Sequence, residues 1–298
     1  MGDLIHTLPA LTDAKVAIPD VRFDWVSERG FSSIPAWHPA VENTIVSDIR
    51  TWKKDPFRAL FSTEFGFFCE ALREQEYDCV IDAQGLLKSA FLVAKRADGP
   101  VHGYGWNSAR EPLASLWYGY KHNVPKQLHA VERTRSLFGQ CLGYQPTGSA
   151  DAGINASTIA SNEVWLVHGT SRDDKLWPER YWIELAAGLS KKGFSLVVPG
   201  HSHQEIARAY RILGERTGSV LSGCSLTEVK QRMAGATAVV AVDTGLAHLA
   251  DALKLKLIML FGPTEPGLVG PLGESAKVIS APQMGDIHPD RVQLALND

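Results

Sequence analysis

Short, continuous apolar runs alternate with longer stretches of helical periodicity along the whole chain, and this alternation constrains the fold more than any other feature. In the first half, strand-like runs lie at residues 23–26, 44–46, 79–82 and 101–104, with helical spacing at 60–75 and 86–95. Buried parallel strands are apolar throughout, and each crossover between them needs a helix. The pattern therefore predicts βαβ units and a parallel sheet.

A second alternating series follows a linker-like stretch at residues 145–162, which is rich in Pro, Gly, Ser, Ala and Asn. Its strand-like runs are 164–168, 194–198, 238–242, 257–261 and 277–280, and its helical segments are 178–191, 203–217 and 226–234. We therefore expect two doubly wound α/β domains, residues 1–150 and 151–298. Ligands in such sheets bind beyond the carboxyl ends of the strands, so a cleft between the domains is the expected site.

Composition narrows the class of protein. A chain of 298 residues with 45% hydrophobic and 21% charged residues is typical of a two-domain globular protein. A net charge of −3 gives no global basic field for nucleic acid. The four cysteines form no C-x-x-C pair, which argues against a zinc site or a disulfide framework, and reduced cytosolic thiols are the simplest expectation. The longest apolar runs are too short to span a bilayer, and no secretory leader is recognisable.

The segment AVVAVDTGLAH at residues 238–248 passes from an apolar strand directly into a helix. Asp243 or Thr244 can cap that helix, and Gly245 permits close approach. His248 lies four residues after Thr244, on the same helical face. The free N–H groups at the start of the helix suit a diphosphate. A plain helix cap in a tight turn explains the pattern equally well.

The segment LVHGTSRDDKLWP at residues 166–178 ends a second strand in Gly-Thr-Ser. Thr170 and Ser171 offer hydroxyl groups and Lys175 offers a compact positive charge. Taken alone, a solvated loop with balanced charges is the better interpretation. Two such strand ends in one half nevertheless favour nucleotide binding. The absence of a Walker A loop and of a G-x-G-x-x-G fingerprint weighs against an ATPase or an ordinary dehydrogenase.

The segment IRTWKKDPFR at residues 49–58 mixes cations with aromatic residues and precedes Phe61, Phe65, Phe67 and Phe68. It suits an anionic, lipid-linked acceptor at a membrane surface. A solvated loop leading into a helix with a phenylalanine core face is an equal alternative. His201 and His203 have no third ligand near them in the sequence, so we interpret them as surface histidines.

Seven ordered segments together resemble a known family. They are MGDLIHTLPALTDA, IDAQGLLKSA, AREPLASLWY, HAVERT, GTSRDDKLWPERYW, VDTGLAHL and FGPTEPGL. They resemble the ADP-heptose:lipopolysaccharide heptosyltransferases, glycosyltransferase family 9, and are more similar to the members that add the first heptose than to those that add the second. The resemblance implies a GT-B fold, two Rossmann-like domains facing across a cleft, and catalysis without a metal or other cofactor.

The resemblance also implies roles for individual residues. The residues expected to hold the donor ADP-heptose are Thr170, Ser171, Lys175, Thr244, Gly245 and His248, with Asp243 beside the diphosphate. Asp3 matches the general base, which would need a pKa raised toward neutrality in a closed cleft. The residues expected to face the acidic Kdo sugars of the acceptor are Arg50, Lys54, Arg110 and His129.

Two departures from the family pattern are visible. The family has a short strand before its M-G-D sequence, and no such strand precedes Met1 here. Where the family places a glutamate that meets the donor ribose, the alignment puts Gln204, with Glu205 beside it. The resemblance implies a cytoplasmic enzyme at the inner face of the inner membrane that transfers L-glycero-D-manno-heptose to the Kdo of Kdo-lipid A with inversion. Transfer of the second heptose, and nucleotide-sugar binding without turnover, remain alternatives.

Overall fold

The computed structural model describes residues 1–52, 54–55, 58, 61–156 and 159–297. The chain divides into two compact units. The N-terminal unit is His6–Gly153, and the C-terminal unit combines Ile154–Asp298 with Met1–Ile5. The sequence predicts a boundary between residues 150 and 151, whereas the structure divides the chain after Gly153 and groups the first five residues with the second half. Within the described part of the chain, every helix is too short or too polar to traverse a lipid bilayer.

The N-terminal unit contains two small parallel sheets. Its strands are β1 (Phe23–Glu28), β2 (Val41–Ser47), β3 (Val80–Asp82), β4 (Val101–Tyr104) and β5 (Tyr120–His122). β1 pairs with β2, and β3, β4 and β5 form a separate sheet in that order. The helices are α1 (Gly2–Ala17), which begins among the residues of the C-terminal unit, α2 (Ile49–Trp52), α3 (Thr63–Ala71), α4 (Leu87–Leu92) and α5 (Ala130–Leu142).

The core of the N-terminal unit is divided into several small clusters. In one of them, Leu11 of α1 and Phe138 of α5 pack against Phe23 of β1 and Ile81 of β3, so that the two helices connect the two sheets. A buried ion pair reinforces this connection. The Arg135 guanidinium donates to Asp13 of α1 at 2.7 and 3.1 Å, and its side chain is only 4% exposed.

The C-terminal unit contains one six-stranded sheet in which all pairs are parallel. Its strands are β6 (Glu163–Val167), β7 (Ser195–Pro199), β8 (Gly218–Leu221), β9 (Ala238–Val242), β10 (Leu257–Phe261) and β11 (Ala276–Ser280). The sheet order is β11-β10-β9-β6-β7-β8. β6 is therefore flanked by β7 on one side and β9 on the other, and the direction of winding reverses between β6 and β9.

Apolar side chains on both faces of this sheet are buried beneath helices. The helices are α6 (Glu179–Lys191), α7 (His203–Leu213), α8 (Leu226–Met233), α9 (Gly245–Ala252), α10 (Pro266–Val269) and α11 (Pro289–Asn297). Trp182 and Leu185 of α6 pack with Leu196, Val240 and Leu260 of the sheet, and all five are fully buried. The continuous apolar strands and amphipathic helices predicted from the sequence account for this core.

Candidate active site

The ends of β6 and β9 meet at the point where the winding of the C-terminal sheet reverses. The Thr170 hydroxyl, in the loop after β6, donates to the backbone carbonyl of Asp243, directly after β9, at 3.1 Å. Parallel strands place their carboxyl ends at one edge of the sheet, and the crevice at a reversal of winding is the usual ligand site of such folds. The two segments that the sequence marked as anion-binding are therefore in direct contact.

The Asp243 carboxylate is the electrostatic centre of this site. Lys175 Nζ lies 2.5 Å from Asp243 Oδ2, and His248 Nε2 lies 3.7 Å from Asp243 Oδ1. Burial alone raises the pKa of Asp243, but the hydrogen bonds and charges of His248 and Lys175 outweigh it and lower the pKa to about 2. Asp243 is consequently an anion at neutral pH and holds the lysine ammonium at the strand end.

The loop that carries Lys175 is anchored in the core. Lys175 ends a single 3₁₀ turn, Asp173–Lys175, two residues before Trp177. The fully buried Trp177 donates its indole N–H to the carbonyl of Ile287 at 2.8 Å. Arg208 of α7 donates to the Trp177 carbonyl at 2.5 Å. Lys175 thus projects from a fixed turn, which favours pre-organisation of its charge.

The start of α9 packs against residues 1–5. Thr244 is the N-cap residue, but its side chain makes no capping hydrogen bond. A Cβ built on Gly245 would approach the Met1 side chain to 2.8 Å, and one on Gly2 would lie 3.2 Å from His248 Cδ2. Glycine at both positions therefore permits this close packing. Asp3 follows Gly2 in the first turn of α1 and is exposed.

Glu205, the neighbour of the predicted Gln204, is better placed than Gln204 to line the candidate site. Gln204 is exposed on α7, whereas Glu205 is half-buried. A Cβ on Gly169, at the end of β6, would lie 2.8 Å from Glu205 Oε1. Glu205 Oε2 accepts hydrogen bonds from the N–H groups of His201 and Ser202 at 2.9 and 3.1 Å. Ser202-x-x-Glu205 is a capping box, a signal the sequence already contained.

Ser171 is exposed, in the same loop as Thr170. A further residue that the sequence did not single out is His168, which is fully buried at the end of β6. Burial and, secondarily, the Arg208 charge lower the pKa of His168 to about 4, so its imidazole is neutral at neutral pH.

The four predicted acceptor residues lie in separate segments of the N-terminal unit. Arg50 is exposed, and its guanidinium lies over the Phe31 ring at 5.4 Å. Lys54 is exposed in the turn after α2. Arg110 is exposed in the turn that contacts Gly85. His129 is the N-cap of α5, where its Nδ1 accepts the N–H of Val131 at 3.2 Å.

The aromatic segment after α2 has two interpretations, a membrane-facing surface or a phenylalanine core face, and the structure fits each in part. Phe65 and Phe68 are buried and pack on Trp52, as expected for a phenylalanine core face. Phe61 and Phe67 are 89% and 64% exposed, as a membrane-facing surface would require. Part of the predicted cationic segment, namely Lys53, Pro56 and Phe57, lies outside the described residues.

Asp82 organises the loop beside Arg110, a role that the sequence did not indicate. This carboxylate, 5% exposed, accepts hydrogen bonds from Ser89 Oγ at 2.8 Å and Tyr118 OH at 2.7 Å. It also accepts the backbone N–H groups of Gln84 and Gly85 at 2.9 and 3.2 Å. Burial raises the pKa of Asp82, and these four donors oppose the rise. The network fixes the turn after β3.

The fold is similar to that of solved sugar-nucleotide-dependent transferases. The heptosyltransferase WaaC of Escherichia coli with ADP superposes with a TM-score of 0.95 at 46% identity, covering 100% of this chain and 96% of that one. The E. coli ADP-heptose LPS heptosyltransferase II shares the fold, with a TM-score of 0.80 at 23% identity over 99% and 94% of the two chains. Two Rossmann-like α/β units with this architecture define a glycosyltransferase of the GT-B fold.

Sequence comparison then gives the family. The model of glycosyltransferase family 9 (heptosyltransferase) matches residues 67–294, and the chain belongs to this family. Lipopolysaccharide heptosyltransferase 1 of E. coli strain K12 is 49% identical over 291 residues, which cover 95% of this chain and 91% of that protein. The predicted family and fold class are thereby confirmed.

Proposed function

We propose that this chain transfers L-glycero-D-manno-heptose from ADP-heptose to the Kdo sugar of Kdo-lipid A, with inversion and without a metal ion. The relatives named above support the reaction class. The observation that carries the proposal is the contact between the two strand ends, where Asp243 holds Lys175 beside the start of α9. A cation, hydroxyl groups and helix N–H groups at one strand edge suit a diphosphate.

The donor diphosphate would bind between Lys175 and the start of α9. A lysine ammonium has three N–H donors, and Asp243 accepts one of them, so others can meet phosphate oxygens. The first N–H groups of a helix lack partners within the helix and carry partial positive charge. Ser171 and Thr244 would add hydroxyl donors, as would Thr170 after its O–H turns from the Asp243 carbonyl to the phosphate. This set stabilises the charge that develops as ADP leaves, the task that a metal ion performs in other transferases.

The donor ribose would lie toward the start of α7. Glu205 is half-buried against Gly169 and already accepts two backbone N–H groups, so it is held in place to receive hydroxyl donors. We propose Glu205 as the main ribose contact, with the exposed Gln204 as an additional one. Gly245 and His248 would line the heptose side, where residues 1–5 pack on α9.

Asp3 would act as the general base. Its exposed carboxylate takes the proton from a Kdo hydroxyl while that oxygen forms a bond to the anomeric carbon of the heptose. The bond from the anomeric carbon to the phosphate oxygen breaks in the same displacement, and ADP keeps its electron pair. Attack from the face opposite the leaving group inverts the anomeric centre.

The acceptor would be bound by the N-terminal unit. Arg50, Lys54, Arg110 and His129 carry positive charge or hydrogen-bond donors suited to acidic Kdo sugars. The exposed Phe61, Phe67 and Arg58 would contact the cytoplasmic face of the inner membrane, where the lipid portion of the acceptor resides. ADP-heptose and Kdo-lipid A are thus the proposed partners.

Heptose transfer by the purified chain tests the proposal, with Kdo₂-lipid A as acceptor and with the same acceptor already carrying one heptose. We expect transfer to the first. Transfer only to the second would assign the alternative activity of a second heptosyltransferase. Binding of ADP-heptose without transfer to either would reduce the protein to a binding module.

Replacement of Asp3 by Asn tests the mechanism. We expect kcat to fall by about 10³, within the range for loss of a general base, with ADP affinity changed less than threefold. Asp20→Asn, an exposed carboxylate elsewhere on the chain, is the matched control and should keep full activity. A D3N rate above one tenth of the wild-type rate would remove Asp3 from the chemistry and leave the donor site untouched.

A further inference from the structure

A cluster of metal-binding side chains lies in the N-terminal unit, among residues that the proposed transfer reaction does not use. His102 is in β4 and His122 is in β5, and both face the same side of the sheet, because His102 pairs with Tyr120 and side chains two residues apart share a face. Cys141 lies in the last turn of α5. The donor atoms of His102, His122 and Cys141 all lie within 4.8 Å of one another.

The two imidazoles are suited to metal coordination. His102 Nδ1 and His122 Nε2 are 3.0 Å apart, so a single proton lies between two ring nitrogens. Each imidazole can present one ring nitrogen to a metal ion once its proton sits on the other ring nitrogen. A cation can take the place of the shared proton.

Cys141 also shares a proton. Its thiol is hydrogen-bonded to Cys79, which lies directly before β3, next to β4 in the sheet. When a metal ion binds the Cys141 sulfur, the thiol releases its proton to solvent and the bound sulfur becomes a thiolate.

Neighbouring side chains hold the imidazoles in position. The Tyr120 ring stacks on His102 at 4.5 Å, and the His102 and His122 rings are nearly parallel, at an interplanar angle of 14°. Gln140, next to Cys141, is hydrogen-bonded to His122 and donates to the Asn123 carbonyl at 3.3 Å. Outer contacts of this type fix ligand orientation in known metal sites.

We propose that His102, His122 and Cys141 form a structural site for a divalent zinc ion, with water as the fourth ligand. Tetrahedral zinc places N and S ligands roughly 3.3 to 3.8 Å apart, which small rotations of these half-buried side chains can reach. Thiolate and imidazole ligands select zinc over magnesium or calcium. The ion would tie β4 and β5 to the end of α5 and would take no part in heptose transfer.

Metal uptake by the full chain, after removal of bound metal with a chelator, tests the site. We expect one Co²⁺ or Zn²⁺ ion per chain, a thiolate-to-cobalt charge-transfer band with Co²⁺, and a rise of several degrees in the unfolding temperature with Zn²⁺. Cys141→Ser and His122→Gln should each weaken binding about 100-fold or more, and C141S should abolish the charge-transfer band.

Matched controls separate this site from adventitious binding. Cys69→Ser, Cys224→Ser and His203→Gln should bind Co²⁺ as the wild type does, since these residues lie outside the cluster. Failure of the wild-type chain to bind one ion would overturn the proposal. So would a charge-transfer band that persists in C141S, or Zn²⁺ binding that is unchanged in both C141S and H122Q.

Discussion

The two units contain similar secondary structure but are stabilised in different ways. The C-terminal unit has one six-stranded parallel sheet with an extensive apolar core. The N-terminal unit has a two-stranded and a three-stranded sheet with several smaller cores. Because hydrophobic stabilisation grows with apolar area buried, the C-terminal unit depends mainly on packing. The N-terminal unit relies more on buried polar contacts such as Arg135–Asp13 and the Asp82 network.

The difference in stabilisation between the two units also affects the residues proposed to bind the donor and the acceptor. The Lys175–Asp243 pair is attached to the larger core through Trp177 and the ends of β6 and β9. A rigid core holds a charged group at a fixed position, which is what electrostatic stabilisation of a leaving diphosphate requires. Of the predicted acceptor residues, by contrast, Arg50, Lys54 and Arg110 are exposed, and all four belong to a unit with smaller cores. We expect the donor-binding residues to be more strongly pre-organised than the acceptor-binding residues.

The largest expected effect concerns the buried ion pair of the N-terminal unit. Arg135→Met leaves Asp13 nearly buried without its partner, at a cost of about 4 kcal/mol in the free energy of unfolding. Leu185→Ala in the C-terminal core should cost about 3 kcal/mol through the cavity it creates. Urea unfolding, monitored by hydrogen exchange in each unit, measures both.

The matched control for R135M is Arg22→Met, which removes a surface pair with Glu42 whose side chains are 70% and 51% exposed. It should change the free energy of unfolding by less than about 0.5 kcal/mol. If R135M were as mild as R22M, polar contacts would not distinguish the N-terminal unit from the C-terminal one.

The next prediction compares how strongly acid destabilises each of the two units. His38 in the N-terminal unit and His168 in the C-terminal unit are both buried, and burial lowers the pKa of each to about 4. Above about pH 7.5 both are neutral whether the chain is folded or unfolded, so they do not affect the free energy of unfolding there. As the pH falls toward 4, only the unfolded chain gains the proton, and each unit loses about 2 kcal/mol by pH 5.

Two variants test whether each histidine causes the acid-induced loss of stability in its own unit. His38→Gln should flatten the pH dependence of unfolding in the N-terminal unit alone, and His168→Gln in the C-terminal unit alone. The Lys175–Asp243 pair adds no pH dependence to the free energy of unfolding between pH 5 and 7. The Asp243 carboxylate has a pKa of about 2 and therefore stays ionised in that range. A pH profile that is unchanged in H168Q would show that His168 is not responsible for the acid sensitivity.

The smallest effect concerns the surface of the N-terminal unit. Replacement of Phe61 and Phe67 by Ser should weaken binding to vesicles containing anionic lipid about tenfold, because both apolar side chains are largely exposed. Leu294→Ser in the C-terminal unit changes a residue that is 64% exposed and should have no effect. Sedimentation with vesicles measures this, and equal loss in the control would mean that the surface is not specific.

The sequence predicted most of the C-terminal unit, because its strands are continuous apolar runs. The bounds of β9 and β10 agree with the predicted ones, and β6, β7 and β11 differ by one residue. β8 was missed, since Gly218 and Ser219 open it at the edge of the sheet. β5 was missed for a similar reason, because Tyr120–His122 is short and polar. Edge strands are not buried on both faces, so their sequences carry a weaker signal.

The candidate site could be predicted only in part. The strand ends at Thr170 and Asp243 were found from sequence, and so was Lys175. The identity of Lys175's partner was not predictable, because the pair joins residues 68 positions apart. The sequence also favoured side-chain capping of α9, whereas the Asp243 side chain is engaged by Lys175 and His248. His129 likewise serves as a helix cap, a role that a motif match does not reveal.

The packing of Met1 and Gly2 on α9 affects the order of events during synthesis. Residues 1–5 leave the ribosome well before Gly245 and His248, which they contact and which are made only after most of the chain between them. Closing so long a loop is entropically unfavourable until the later residues have folded. The carboxylate proposed as the base would therefore reach its working position only late in biogenesis, so a truncated translation product would have no catalytic activity.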